Sequence, residues 1–165
     1  MIILGIDPSL QYAGFGIIKQ EGRTTVLLEC GCLIMSSSDS VKERVKEFYD
    51  FFQAKIIEWH VTDVVLETPF LGKNAQNFLK LGYLRGIIYL LVEQHKIGLK
   101  EFSPREIKQA VTGFGGADKD QVARIMIQLF PRLKQQKLRH DTTDALAIAL
   151  CGLWRTPSQA QLKII

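Results

Sequence analysis

Apolar positions along this chain follow two rhythms. Ile2 to Asp7 is an unbroken apolar run closed by a carboxylate, the pattern of a buried strand. Pro8-Ser9 turns the chain. Ala13 to Gln20 and Thr24 to Met35 are rich in β-formers, and Glu21-Gly22 between them reads as a hairpin turn. Three antiparallel strands therefore open the molecule. After the polar stretch Ser36 to Ser40, apolar residues recur at Val41, Val45, Phe48, Phe52, Ile56 and Trp59, the steps of three and four that mark an amphipathic helix. Asp63 to Glu67 is a short apolar strand that again ends in an acid. Asn74 to His95 reads as a long helix with Phe78, Leu81, Ile88, Leu91 and Val92 inward, and Leu99 to Phe102 as a fifth strand.

Three helices follow. Ser103-Pro104-Arg105-Glu106 is a capping box with proline at the first helical position. Gly113 to Ala117 is a glycine-rich loop, and Asp118 with Gln121 opens the next helix. Asp141-Thr142-Thr143-Asp144 opens an apolar helix that runs to Trp154. The order β-β-β-α-β-α-β-α-α-α predicts an α/β fold: a five-stranded mixed sheet flanked by helices. The hairpin strands run antiparallel, and the strands reached through helical crossovers run parallel to the first.

Composition narrows the class. The chain has 165 residues, 47% hydrophobic and 23% charged, which suits one globular domain and excludes disorder and collagen. The expected division is a domain over residues 1–156 and a tail over 157–165. No apolar stretch approaches the ~18 residues of a membrane span, and the N-terminus lacks a basic n-region. Cys30, Cys32 and Cys151 are too few for a disulfide scaffold, so the expected setting is reducing and cytoplasmic, away from membranes.

Charge then changes the picture. Residues 1–70 carry six basic and ten acidic side chains, and residues 71–165 carry fifteen and seven. A basic half suits a polyanion, because neutralising phosphates releases counterions. The acids of the other half need a reason to sit near that polyanion, and a divalent metal supplies one. Asp7 and Glu67 each end a strand and reach the same rim if those strands are parallel neighbours, and ligands collect at that rim. Asp141 and Asp144, three apart at a helix start, share a face. Taken alone, that pair also fits an N-cap and a favourable helix dipole. Together, four acids from three elements fit hard cations such as Mg²⁺ or Mn²⁺. Two unit charges 4 Å apart repel by ~4 kcal/mol at an effective dielectric of 20, and a metal ion removes that cost. Two such ions ~3.5–4 Å apart can activate water and stabilise the leaving oxygen of a phosphodiester.

Other features admit two readings each. Gly113-Phe114-Gly115-Gly116 either brings backbone N–H groups to phosphates or is a flexible connector. Lys119 at a helix start can contact a phosphate. Phe70, in the loop after Glu67, either stacks on a base or fills the core. Gly82 and Gly86 sit four apart inside a helix, which close packing against another helix explains, one across a dimer interface included. His140 is a proton shuttle or a surface residue.

These motifs resemble a known family. Leu4-Gly5-Ile6-Asp7-Pro8, Glu67 with Phe70, Gly72-Lys73-Asn74-Ala75, Leu79-Lys80-Leu81-Gly82, Arg85-Gly86, Lys108-Gln109 and Asp141-Thr142-Thr143-Asp144-Ala145-Leu146-Ala147-Ile148-Ala149 are similar to the RuvC family of Holliday-junction resolvases, in the family's order, from residue 2 to about 151. The resemblance implies a ribonuclease-H-like fold. It implies a homodimer that binds four-way junction DNA, makes paired symmetric nicks in recombination and repair, and cooperates with a branch-migration motor complex. It implies Asp7, Glu67, Asp141 and Asp144 as catalytic metal ligands, for two Mg²⁺ with Mn²⁺ as a substitute. Phe70, Lys73, Asn74, Lys108 and Lys119 match its DNA-contacting positions. The chain departs from the pattern at Ser9, where a glycine is usual, and at Gln11 and Ala13. If that turn needs a positive φ, Ser9 strains it. Two rivals stand beside this reading: a nuclease of the same fold acting on other branched DNA or structured RNA, and an actin-like ATP-binding module.

Overall fold

The computed structural model describes residues 1–69, 75–135 and 138–155. Five strands form one sheet: β1 (Ile2–Asp7), β2 (Tyr12–Glu21), β3 (Thr24–Ile34), β4 (Asp63–Glu67) and β5 (Gly98–Phe102), in the order β3-β2-β1-β4-β5. β1 pairs antiparallel with β2 and parallel with β4, and β4 pairs parallel with β5, as the crossover argument requires. The hairpin turn falls at Gly22, whose φ of 59° lies in the left-handed region that favours glycine. A bulge between Ile17 and Ile18 skips Leu28, and Arg132 donates to the Leu28 carbonyl at 3.0 Å.

The helices are α1 (Val41–Trp59), α2 (Ala75–His95), α3 (Pro104–Thr112), α4 (Lys119–Leu129) and α5 (His140–Trp154). A short 3₁₀ turn, Pro131–Gln135, lies between α4 and α5 and has no clear signal in the sequence. The capping boxes read at Ser103/Glu106 and Asp118/Gln121 are both formed. The expected tail, with residue 156, lies outside the described residues.

Strand alternation divides the core into two layers. Leu4, Ile6, Phe15, Val64 and Leu66 face α1 and α2, and meet Phe48, Phe52, Leu84, Ile88 and Leu91. Ile3, Ile18 and Val65 face α3, α4 and α5, and meet Ile107, Met126, Leu146 and Leu150. One inward assignment for α2 needs revision. Phe78 is exposed, and the buried stripe runs through Leu84, Arg85, Ile88 and Leu91. The helix is apolar on both sides, so its periodicity carries no phase. Leu79, Gly82, Tyr83, Gly86 and Leu90, spaced three and four apart, form a second, outward stripe.

Helix α5 lies directly on β1 and β2 because glycines face it. A Cβ on Gly5 would stand 2.3 Å from the Ala145 carbonyl oxygen, and one on Gly14 would stand 1.9 Å from that of Asp141. This contact brings the first turn of α5 against the end of β1, since Gly14 pairs with Asp7.

Candidate active site

Asp7 and Glu67 reach one place by alternation and register. In β1, Ile3, Gly5 and Asp7 share the face under α5. In β4, Asp63, Val65 and Glu67 share it too. Ile6 pairs with Leu66 across the parallel ladder, so the next residues, Asp7 and Glu67, end their strands at the same level. Arg85, buried in α2, donates to the Glu67 carbonyl at 2.7 Å and pairs with Glu101 on β5. It ties down the end of β4, a role that no local signal in the sequence reveals.

A cavity of about 210 Å³ opens at this rim. Asp7, Glu67 and Asp144 line it together with Lys108 of α3 and Lys119 of α4. Ile107, Val122, Ala147 and Ile148 form its apolar wall. The electrostatics follow from crowding. Burial and the charges of Asp144, Glu67 and Asp141 push the Asp7 carboxyl up to about 7, against the pull of Lys119. Burial and Asp144 raise Glu67 also, with Lys119 and Lys108 opposing. Lys119 donates to Asp144 Oδ2 at 2.8 Å, and this bond raises the lysine's own pKa.

Asp141 stands beside the cavity without lining it. Its Oδ2 accepts from Arg139 Nε at 3.0 Å, and the Arg139 guanidinium lies 3.7 Å from the centre of the Tyr12 ring. The capping alternative for Asp141 does not hold. Helix α5 begins one residue earlier than expected, at His140, and its N-cap position is Arg139, with no side-chain cap. The carboxylate is thus spared for another purpose. Asp144, one turn on, points to the cavity. His140 is an exposed surface residue 3.7 Å from Asp120.

Three candidates, Phe70, Lys73 and Asn74, lie outside the described residues. The expected strain at Ser9 is absent: among described non-glycine residues, positive φ occurs at His60 and Lys96 only. The Ser9 hydroxyl oxygen instead accepts from the backbone N–H groups of Gln11 at 3.3 Å and Tyr12 at 3.4 Å.

Among the described residues, no three His, Cys, Asp or Glu side chains are already arranged to hold a metal ion. Two of the acids instead give one oxygen each to a cation, Asp144 to Lys119 and Asp141 to Arg139. The donor chemistry nonetheless fits a hard divalent ion. Every candidate ligand is a carboxylate oxygen, and Asp7 carries a charge that its surroundings disfavour.

Comparison with known proteins agrees with this geometry. The model of the crossover junction endodeoxyribonuclease RuvC family matches residues 3–152. The chain is 40% identical over 163 residues to the crossover junction endodeoxyribonuclease RuvC of Pelodictyon phaeoclathratiforme, covering 99% of this chain and 85% of that one. It superposes on Thermus thermophilus RuvC with a TM-score of 0.83 at 25% identity, covering 98% of this chain and 96% of the other. A structure of T. thermophilus RuvC in complex with Holliday junction substrate gives the same TM-score, 0.83, at 26% identity over 92% of each chain. The mixed sheet with flanking helices is thus the ribonuclease-H-like fold that the motifs imply. With its acids gathered at the β1–β4 rim and nearly its whole length matched, the chain belongs to the RuvC family of crossover junction endodeoxyribonucleases.

Proposed function

We propose that this protein is a DNA endonuclease that resolves Holliday junctions by paired symmetric nicks, in recombination and repair. The observation that carries the reading is the cavity where Asp7, Glu67 and Asp144 meet Lys108 and Lys119, in a chain 40% identical to a named RuvC. Asp7, Glu67, Asp141 and Asp144 are the residues that hold divalent ions, Mg²⁺ with Mn²⁺ as a substitute, two to a site. Such ions supply an activated water and stabilise charge on the leaving 3′-oxygen. The chain's own residues do the rest. Lys119 and Lys108 bring positive charge to the cavity where a phosphate's negative charge develops. The apolar wall excludes water and strengthens that interaction. Phe70, Lys73 and Asn74 add further DNA contacts.

The outward stripe of α2 supports a homodimer. Leu79 is 56% exposed, Tyr83 44% and Leu90 46%, and a Cβ added at Gly82 or Gly86 meets nothing within 4 Å. Large apolar residues flanking small ones are the surface of a helix that packs closely on a partner. A dimer places two cutting sites on one four-way junction. A cytoplasmic setting and cooperation with a branch-migration motor complete the reading. Among the described residues, no helix is long and apolar enough to cross a membrane.

The test compares a labelled synthetic four-way junction, a flap, linear duplex and an RNA hairpin, with Mg²⁺ and with EDTA. Symmetric, ligatable nicks confined to the junction, and lost with EDTA and in Asp7→Asn, are the expected result. Preferential cutting of the flap or hairpin favours the rival nuclease, and cleavage by Asp7→Asn at the wild-type rate, or a loss of junction binding in that variant, counts against the site.

A further inference from the structure

The turn after Asp7 has two sides. One borders the acid cavity. On the other, Ser9, Leu10 and Gln11 meet Arg44, Lys80 and Leu81 around a second cavity of about 420 Å³. Among the described residues, no carboxylate lines it. Arg44 comes from the first turn of α1 and Lys80 from the second turn of α2. The Arg44 Nη1 donates to the Leu10 carbonyl at 3.2 Å, which fixes the guanidinium against the turn. Its Nε is shut off from solvent, while its Nη2 forms no hydrogen bond among the described residues and is not buried. Lys80 forms no ion pair among the described residues. The Ser9 hydroxyl, whose oxygen already accepts from two backbone amides, keeps its hydrogen for a further acceptor.

A guanidinium with an unused donor, an unpaired ammonium and a hydroxyl around one polar cavity are the groups that recognise a phosphate. We propose that this cavity is a backbone-phosphate subsite, holding a phosphodiester of the bound DNA other than the one being cut. The proposal rests on the nuclease reading and extends it. Ser9 is two residues from Asp7, so a phosphate seated here anchors the DNA on the far side of the turn that carries the catalytic acid. Arg44 supplies the fixed direction and Lys80 the charge. The subsite contributes to binding and to the placement of the strand, and none of its groups touches the reacting phosphorus.

The experiment measures junction affinity against salt concentration in EDTA, where no cleavage occurs, by fluorescence anisotropy. The variants are Lys80→Met, Arg44→Gln, Arg44→Lys and, as a control outside the cavity, Lys46→Met. Lys80→Met is expected to weaken binding about three- to ten-fold near 0.1 M salt and to reduce the salt slope by about one. Arg44→Gln does the same, and Arg44→Lys restores the slope without restoring full affinity, because it keeps the charge and loses the fork. Thermal melts show which variants are folded. Since Lys80 makes no hydrogen bond or ion pair among the described residues, Lys80→Met decides the matter if Arg44→Gln unfolds. A Lys80→Met protein with unchanged affinity and slope, or one no different from Lys46→Met, overturns the subsite and leaves the nuclease reading intact. Wild-type protein that does not bind the junction overturns both.

Discussion

Helices α5 and α2 are the two most apolar in the molecule, and they are apolar for different reasons. In α5, eleven of fifteen residues are buried, and small residues on both partners let it lie on the sheet. Ala145 and Ala149 meet Gly5, and Asp141 meets Gly14. Helix α2 buries Leu84, Ile88 and Leu91 and turns Leu79, Tyr83 and Leu90 to the outside. The first helix is hydrophobic because the chain surrounds it. The second is hydrophobic on a face that this chain leaves bare. The contrast teaches that a missing helical period has two meanings, full burial or two separate apolar faces, and that the size of the residues on each side separates them. Asp141 and Asp144, two of the four acids proposed as metal ligands, ride on the buried helix. The face proposed for a homodimer rides on the other.

Substitutions at glycine expose the difference most sharply. Gly5→Val drives a branched side chain into the α5 backbone, where a single Cβ already falls 2.3 Å from a carbonyl oxygen. The loss exceeds about 4 kcal/mol, and circular dichroism should find no cooperative unfolding transition. Next in size are paired truncations on α2. Leu84→Ala, on the buried stripe, costs ~2–5 kcal/mol in chemical denaturation of the monomer. Leu79→Ala, on the exposed stripe, leaves monomer stability within about 0.5 kcal/mol. Leu79→Asp should leave the fold intact and shift sedimentation from dimer to monomer. A dimeric Leu79→Asp protein would break the assignment of that face.

The α5 side also carries an electrostatic load that the α2 side lacks. Asp7 holds its proton up to a pH of about 7 in the folded chain and to about 4 when unfolded. Between those values the folded state binds more protons, so the stability from this group is lost as pH rises through that window. In EDTA, Asp7→Asn should flatten the slope and stabilise the protein above pH 7 by on the order of 1–3 kcal/mol, read from melts across pH. With Mg²⁺ present, that pH window should move down, since a bound cation favours the carboxylate. The smallest effect returns to α2. Gly86→Ala meets nothing in the monomer and should stabilise it by roughly 0.5–1 kcal/mol, while weakening the dimer if the helices pack closely at that glycine.

Much of the site could be read from residues close in sequence. Asp7 and Glu67 close apolar strands, and alternation with register then sets them side by side. The boxes at Ser103/Glu106 and Asp118/Gln121 need a span of three residues and formed as read. Asp141 was ambiguous, since Asp-Thr-Thr-Asp suits a cap as well as a ligand pair. The cap was lost because Arg139 takes that position and its side chain turns to Asp141 and Tyr12. Phe78 was misplaced because an all-apolar helix offers no polar side to set its phase. Arg85 and Lys80 fall within the family-like motifs, but their contacts, like those of Arg139 with Tyr12 and of Arg44, left no trace, since each depends on partners from distant segments.

The sequence by itself determined the order of elements, the caps, the face of each strand and the acids at the strand ends. These follow from steric and hydrogen-bonding rules that act within a few residues. Tertiary structure alone decided which face of α2 is buried, which cations Asp141 and Asp144 hold, and how near α5 approaches β1. That approach depends on Gly5 meeting Ala145 and Ala149, Gly14 meeting Asp141 and Gly16 meeting Leu146, and no local rule spans that distance along the chain.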